Sequence, residues 1–240
     1  MFPIPAIDLK DGRVVRLLQG RFDAEKVYAE EAQAVAKRFE AEGATRIHVV
    51  DLDGALRGEP KNTTLVESIL KSVKVPVEVG GGIRDLKQAA RYLGMGASYV
   101  IFGTKACLDS GFLKEAIAAF GERVIIGIDA KEGNVAVEGW TKILDKKAVA
   151  LAKEVEKAGG SAVIYTDISK DGAMAGPNLE HLEVLADAVK MKVIASGGVG
   201  SLEDIRAIRA LAKPNISGVI IGKAIYEKKF TVKEAVKACS

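Results

Sequence analysis

The 240-residue sequence is poor in the residues that build covalent or metal-bound frameworks. It has only two cysteines and two histidines; tryptophan is also scarce, with a single residue. Cys107 and Cys239 are far apart and form no CxxC pattern, so we interpret Cys107 as a packed thiol in a reducing compartment. His48 and His181 lack metal-ligand spacing, which argues against a metal site.

Charge of a single sign and long apolar runs are also missing. The 35 Lys and Arg residues nearly balance the 32 Asp and Glu residues, and the net charge of +3 argues against a nucleic-acid partner. No run reaches the length of about 18 apolar residues that a membrane-spanning helix needs, so we expect no membrane partner. No signal-peptide pattern is visible at the first residues, and we therefore predict a cytoplasmic protein.

The sequence does contain an internal repeat. Its matching segments are 7–12 (IDLKDG) with 128–133 (IDAKEG), 81–83 (GGI) with 197–199 (GGV), and 100–104 (VIFGT) with 219–223 (VIIGK). They recur after 121, 116 and 119 residues. We predict a single domain, 1–240, made of two similar half-barrels at about 1–120 and 121–240.

Short apolar runs rich in β-branched residues alternate with amphipathic stretches, which is typical of strands followed by helices. The predicted strands are 3–8, 46–51, 76–79, 98–102, 123–129, 162–167, 192–196 and 218–221. The predicted helices include 32–42, 86–93, 112–120, 146–157, 179–188, 202–211 and 231–238. The longest irregular stretches are 19–30, 53–61, 134–144 and 169–178, with a short strand expected at 134–137.

Eight such units favour an α/β fold, a closed (β/α)8 TIM barrel of parallel strands. The 48% of hydrophobic residues can bury one large core. An open doubly wound sheet is the alternative. The two-fold half-barrel repeat favours closure, because a closed barrel has no edge strands to protect.

Two aspartates follow the predicted strands one and five, which are diametrically opposed in an eight-strand barrel. Asp8 and Asp129 would therefore face each other across the mouth, where this fold carries its catalytic groups, and could act as base and acid. The alternative is that each aspartate only begins a turn. Asp171, after strand six, competes for the acid role or forms an Asp-Gly turn, and Thr166 could position a substrate hydroxyl.

Glycine-rich turns follow strands three, four, seven and eight, where backbone N–H groups can approach an anion. The predicted phosphate- and substrate-binding residues of the first half are Gly81, Gly82, Arg84, Gly103 and Thr104. Those of the second half are Gly176, Ser196, Gly197, Gly198, Gly222 and Lys223. Strands seven and eight carry the usual phosphate position of this fold, so the copy at three and four predicts a second phosphate. A simple strand-ending role for glycine is the alternative.

The single tryptophan and the two histidines are interpreted separately. Trp140, in the loop after strand five, is predicted to stack on a planar ligand such as an imidazole, or else to plug the space under the loop. His48 is expected to be packed in the barrel or hydrogen-bonded to a neighbour rather than catalytic. His181 is placed on an exposed helix face with no role.

Taken together, six motifs resemble the ProFAR isomerases (phosphoribosylformimino-5-aminoimidazole carboxamide ribotide isomerases) of histidine biosynthesis. They are 5–12 (PAIDLKDG), 47–53 (IHVVDLD), 80–84 (GGGIR), 139–140 (GW), 166–172 (TDISKDG) and 195–199 (ASGGV). The resemblance implies a TIM barrel that converts the aminoaldose ProFAR to the aminoketose PRFAR by an Amadori rearrangement without a cofactor. It also implies that Asp8 accepts a proton and Asp129 donates one, with Asp171 as the alternative general acid.

Two related activities stay open at this point. A sister cyclase shares the half-barrel repeat, but it typically begins Cys-Leu-Asp and lacks the Gly-Trp pair. A dual-substrate isomerase also acts on phosphoribosyl anthranilate. Its glycine turn after strand three usually reads Ser-Gly-Gly, where this sequence has 80–82 (GGG), but 166–169, 176–178 (GPN) and 196–199 are close to that group. A silent phosphosugar-binding barrel is the third alternative. We expect a monomer that acts on a small bis-phosphorylated molecule.

Overall fold

The computed structural model describes residues 1–18, 21–28 and 31–240, and its elements alternate as the sequence predicts. In chain order they are β1 (Phe2–Lys10), β2 (Arg13–Leu18), β3 (Arg21–Val27), α1 (Ala32–Ala41), β4 (Ile47–Asp51), α2 (Leu52–Arg57), α3 (Thr63–Ser72), β5 (Val77–Gly80), α4 (Leu86–Gly94), β6 (Tyr99–Phe102), α5 (Thr104–Leu108), α6 (Ser110–Phe120), a 3-10 turn (Gly121–Arg123), β7 (Val124–Lys131), β8 (Asn134–Val137), β9 (Lys142–Lys147), α7 (Ala148–Lys157), β10 (Ala162–Asp167), α8 (Leu179–Ala188), β11 (Lys192–Ser196), α9 (Leu202–Ala210), β12 (Ile216–Ile221), α10 (Lys223–Tyr226) and α11 (Val232–Cys239).

Eight parallel strands close into a barrel. The order around it is β1, β4, β5, β6, β7, β10, β11 and β12, and β12 pairs with β1 to complete the circle. Strands one and five of the barrel, β1 and β7, are therefore opposed, which confirms the predicted TIM-barrel fold. Because every barrel strand has two neighbours, the barrel leaves no edge strand of its own.

Strand alternation decides which side chains enter the barrel. Ile4, Ala6 and Ile125 belong to a small apolar cluster inside it, whereas Ile7 and Leu9 belong to the larger core between strands and helices. Side chains two residues apart share a face of a strand. Ile4, Ala6 and the aspartate at position 8 therefore share the face of β1 that points into the barrel.

Two hairpins extend the sheet beyond the eight strands. β2 pairs antiparallel with β1 and β3, and β8 pairs antiparallel with β7 and β9. The strand predicted at 134–137 is confirmed. The prediction that 19–30 is irregular is wrong over Arg21–Val27, which forms β3; positions 19, 20, 29 and 30 of that stretch lie outside the described residues.

Other boundaries differ for local reasons. The stretch 53–61 contains most of α2, which begins because the Asp51 carboxylate accepts from the Gly54 N–H and ends at Gly58 with a φ of 78°. The helix predicted from residue 146 begins at Ala148, because Lys142–Lys147 continues the β8 hairpin. α3 is a further helix beyond those named from the sequence. Within the described residues, no helix combines the length and hydropathy needed to cross a membrane.

Candidate active site

A cavity of about 250 Å³ opens at the carboxyl ends of the barrel strands. Its lining includes most of the residues predicted for the site: Asp8, Gly81, Gly82, Arg84, Gly103, Thr104, Asp129, Trp140, Thr166, Asp171 and Ser196. These residues come from both halves of the chain. Closure of the barrel thus brings both opposed aspartates and the glycine turns of the first half to one cavity.

The Asp129 carboxyl is held by two side-chain hydrogen bonds and has a perturbed pKa. Its Oδ2 accepts a hydrogen bond from Nε1 of Trp140 at 2.7 Å, and Thr166 also donates to it. Withdrawal from water raises the pKa of the Asp129 carboxyl, because desolvation disfavours the charged form, and the hydrogen bonds from Trp140 and Thr166 oppose that rise. A carboxyl group with a raised pKa is suited to donate a proton at neutral pH.

Trp140 sits on an unusual backbone. Glu138, Gly139 and Trp140 have consecutive positive φ values of 56°, 63° and 71°, which non-glycine residues rarely adopt. The backbone N–H of Glu138 donates to Oγ1 of Thr104 at 2.9 Å, and the indole holds Asp129. The loop is therefore held across the cavity from α5 to β7. Stacking of Trp140 on a ligand stays a prediction.

A second, smaller cavity of about 40 Å³ adjoins the first on the side of β11 and β12. It is lined by Asp8, Asp171, Ser196, Gly197, Gly198, Gly222 and Lys223, among others. The Lys223 ammonium donates to the carbonyl of Gly172 at 3.0 Å, which ties the loop after β10 to the start of α10. Gly176 lines neither cavity; its N–H donates to the Gly198 carbonyl at 3.1 Å and supports the turn from behind.

The glycine turns approach the preceding loop too closely for a side chain. A Cβ atom on Gly197 would lie 2.7 Å from the carbonyl oxygen of Asp167, and one on Gly81 would lie closer still to that of Asp51. Both residues also have a φ near 95°. The path of the backbone therefore requires glycine at these two positions. The absence of a side chain would also leave the backbone open to a bound anion.

Sequence reasoning missed the residues that hold these loops. Asp51 accepts from the backbone N–H groups of Gly54, Lys61 and Asn62 and from the Asn62 amide. Asp167 accepts from the backbone N–H and hydroxyl of Ser169 and from the Asn178 amide. The internal repeat could have identified these residues. The pair Asp51 and Asn62 recurs as Asp167 and Asn178 after 116 residues, the same interval as that between the glycine turns at 81–83 and 197–199.

The remaining predicted side chains are resolved by their contacts. His48 lines the cavity and is hydrogen-bonded to Glu78 at 2.7 Å, as expected for a bonded histidine. The placement of His181 on an exposed face is wrong: the ring is half-buried, 3.1 Å from Nδ2 of Asn178. Cys107 is a packed thiol whose pKa burial raises to about 12. No cluster of three or more potential metal-ligating side chains occurs in the part of the chain that the structure describes.

A closed parallel barrel with opposed carboxylates and glycine turns at the carboxyl ends of its strands defines the class of (β/α)8-barrel enzymes. Within that class the chain belongs to the family described as histidine biosynthesis protein, which matches residues 4–231. That match covers both halves of the barrel and every predicted site residue.

Similar proteins within the family share about half of their residues with this chain. A protein of Syntrophus aciditrophicus is 50% identical over 98% of this chain and 98% of its own. One of Desulfatibacillum aliphaticivorans is 48% identical over 98% and 94%, and one of Bacillus anthracis is 49% identical over 97% and 96%. Each is named 1-(5-phosphoribosyl)-5-((5-phosphoribosylamino)methylideneamino) imidazole-4-carboxamide isomerase.

Proposed function

We propose that this protein is the aldose–ketose isomerase of L-histidine biosynthesis that converts ProFAR to PRFAR. The name that its full-length relatives carry supports this reaction, since it describes an isomerase of a molecule with two phosphoribosyl groups. The observation that carries the proposal is the site itself: two carboxylates on opposed strands, one of them with a raised pKa, share a single cavity.

The reaction needs one acid and one base. A proton donated to the ribose ring oxygen opens the ring and leaves a protonated imine (iminium) at C1. Removal of the C2 proton then gives an enolamine, which loses the proton of its C2 hydroxyl and gains one at C1 to become the aminoketose. We assign the first proton to Asp129, because burial keeps its carboxyl protonated to higher pH, and the C2 proton to Asp8.

Asp171 is the alternative donor. Its backbone N–H donates to the Asp167 carbonyl at 3.1 Å, so the loop after β10 holds it at the mouth, where it lines both cavities. Thr166 precedes that loop and already donates to Asp129, so its hydroxyl would orient the acid as well as a substrate hydroxyl.

Two anion sites would hold the substrate by its ends. Arg84, Gly81, Gly82, Gly103 and Thr104 flank the larger cavity on the first-half side. On the other side, Ser196, Gly197, Gly198, Gly222 and Lys223 line the smaller cavity. Each group combines backbone N–H donors with one cation, which suits a phosphate. Holding both phosphates places the reacting carbons between the carboxylates and reduces the entropy cost of orientation.

The wider assignment of the chain follows the same lines. We propose one domain over 1–240, with half-barrels at about 1–120 and 121–240, because the loop-holding contacts of one half recur in the other. The substrate is a small bis-phosphorylated molecule. We further propose that the protein is a monomer of the cytoplasm.

The test is steady-state turnover of the purified protein on ProFAR and on phosphoribosyl anthranilate, without added metal or cofactor. We expect turnover of ProFAR. Turnover of both substrates would extend the function to the dual-substrate group. A folded protein that turns over neither would overturn the proposal, and ammonia-dependent cyclisation would then be the assay to run.

A further inference from the structure

Three charged or polar side chains, Arg46, Glu78 and His48, are linked by hydrogen bonds inside the barrel. Oε1 of Glu78 lies 2.7 Å from Nδ1 of His48, and Oε2 of Glu78 accepts from Arg46 at 3.3 Å. Glu78 is fully buried. The Arg46 guanidinium is in turn stacked on the rings of Tyr99 and Phe2, with Cζ 4.2 and 5.2 Å from their centroids.

Packing of the barrel interior does not require these three polar side chains. The positions 116 residues later, which are equivalent in the second half, hold Ala162, Ile164 and Ile194, all members of the apolar interior cluster. Burial of charged groups costs free energy that apolar side chains of similar size would not cost. The first half therefore keeps Arg46, Glu78 and His48 at a place where the other half is apolar.

The arrangement determines which nitrogen of His48 carries a proton. A carboxylate only accepts hydrogen bonds, so Nδ1 must donate to Glu78. A neutral imidazole with its proton on Nδ1 has a lone pair on Nε2. In the described part of the chain, Nε2 has no hydrogen-bond partner.

The His48 ring also lies at the cavity of the candidate active site. His48 lines the same cavity as Asp8 and Asp129, and in the sheet it is paired with Ala6, two residues before Asp8. We infer that Glu78 is a positioning residue that fixes His48 with Nδ1–H directed to Glu78 and Nε2 offered to a hydroxyl of the sugar phosphate. This inference rests on the proposed function for its substrate, but the state of the ring is a property of the free protein.

Nitrogen NMR of the histidine-labelled protein tests the state of the ring directly. The chain has two histidines, so Glu78→Met, His181→Gln and wild type suffice to assign and compare them. At pH 8 we expect His48 to be protonated at Nδ1 and not at Nε2, and we expect Glu78→Met to move the proton to Nε2 in a large fraction of molecules. A wild-type His48 ring with its proton on Nε2 would overturn the inference, and this outcome does not depend on whether Glu78→Met folds.

Kinetics test whether Glu78 acts through His48. We expect Glu78→Met to lower kcat/KM about tenfold, and the double variant Glu78→Met/His48→Ala to be no slower than His48→Ala alone, since residues acting through one contact are not additive. Ile194→Met places the same side chain at the equivalent position of the other half and should leave kcat/KM and the tautomer unchanged. Independent, multiplicative losses from Glu78→Met and His48→Ala would contradict a positioning role. If the protein shows the expected tautomers but does not turn over ProFAR, the result contradicts the proposed function and leaves the inferred state of the His48 ring intact.

Discussion

Asp51 and Asp167 lie 116 residues apart at the ends of β4 and β10, and each carboxylate accepts a hydrogen bond from the asparagine eleven residues later. The distances are 2.8 Å from Asn62 and 2.7 Å from Asn178. Both aspartates are buried, and both have a glycine turn pressed against their backbone. The two halves therefore hold the loops after β4 and β10 by the same contact.

This relationship predicts the stability of two variants. Asn62→Ala and Asn178→Ala should each lower the free energy of unfolding by about 1–3 kcal/mol, because each leaves a buried carboxylate short of a donor. The two networks share no residue, so the double variant should lose the sum of the two within about 0.5 kcal/mol. Urea denaturation measures all three. A double variant no less stable than either single one would show that the two networks are coupled.

The carboxylates at the mouth are tested by neutral isosteres. Asp8→Asn should lower turnover of ProFAR at least about 100-fold while the fold survives, because it removes the proposed general base. Asp129→Asn should have a similar effect if Asp129 is the acid. Parallel measurement of Asp171→Asn separates the two candidates: if Asp171→Asn abolishes turnover and Asp129→Asn does not, the acid is Asp171.

The raised pKa of Asp129 also predicts a pH-dependent stability. Above the ordinary value of 3.8, the native state holds this proton more tightly than the unfolded chain, so the contribution of Asp129 to stability falls as pH rises toward the raised value. Asp129→Asn removes that dependence. The melting temperature of Asp129→Asn relative to wild type should therefore increase with pH across this range, as thermal unfolding at several pH values would measure. A constant difference would contradict the raised pKa.

Trp140→Phe separates the two roles of the indole. Phenylalanine keeps a ring that can stack on a ligand but cannot donate to Asp129. Because that donation lowers the pKa of the carboxyl, its loss should raise the pKa further and move the alkaline limb of the kcat profile to higher pH. An unchanged limb together with an increased KM would indicate that stacking is the main role.

Variants of Lys223 test the proposed phosphate site of the second half. Lys223→Met should raise KM roughly tenfold or more, since a charge-assisted hydrogen bond to a phosphate contributes about 1.5–3 kcal/mol. Lys233→Met, on the exposed side of α11, removes the same charge away from the mouth and is the control. Equal KM values for both variants would exclude Lys223 from phosphate binding. Steady-state kinetics with varied ProFAR decides this.

Many of the residues at the candidate site could be predicted from the sequence because barrel topology is simple. The carboxyl ends of parallel strands meet at one rim, so residues placed after apolar runs, such as Asp8 and Asp129, were expected to share a cavity, and they do. The contacts of Trp140, Glu78 and His181 were not readable. Each joins its partner through a loop conformation or a strand register that no local pattern encodes.

The sequence by itself determined the eight strands, the internal repeat and the glycine turns, because hydrophobic alternation and backbone freedom are local properties. Only the tertiary structure decided that the indole of Trp140 reaches Asp129 and that Glu78 engages His48 from the neighbouring strand. The first contact depends on the conformation of the loop that follows β8, and the second depends on the pairing of β4 with β5. They join residues 11 and 30 positions apart in the chain.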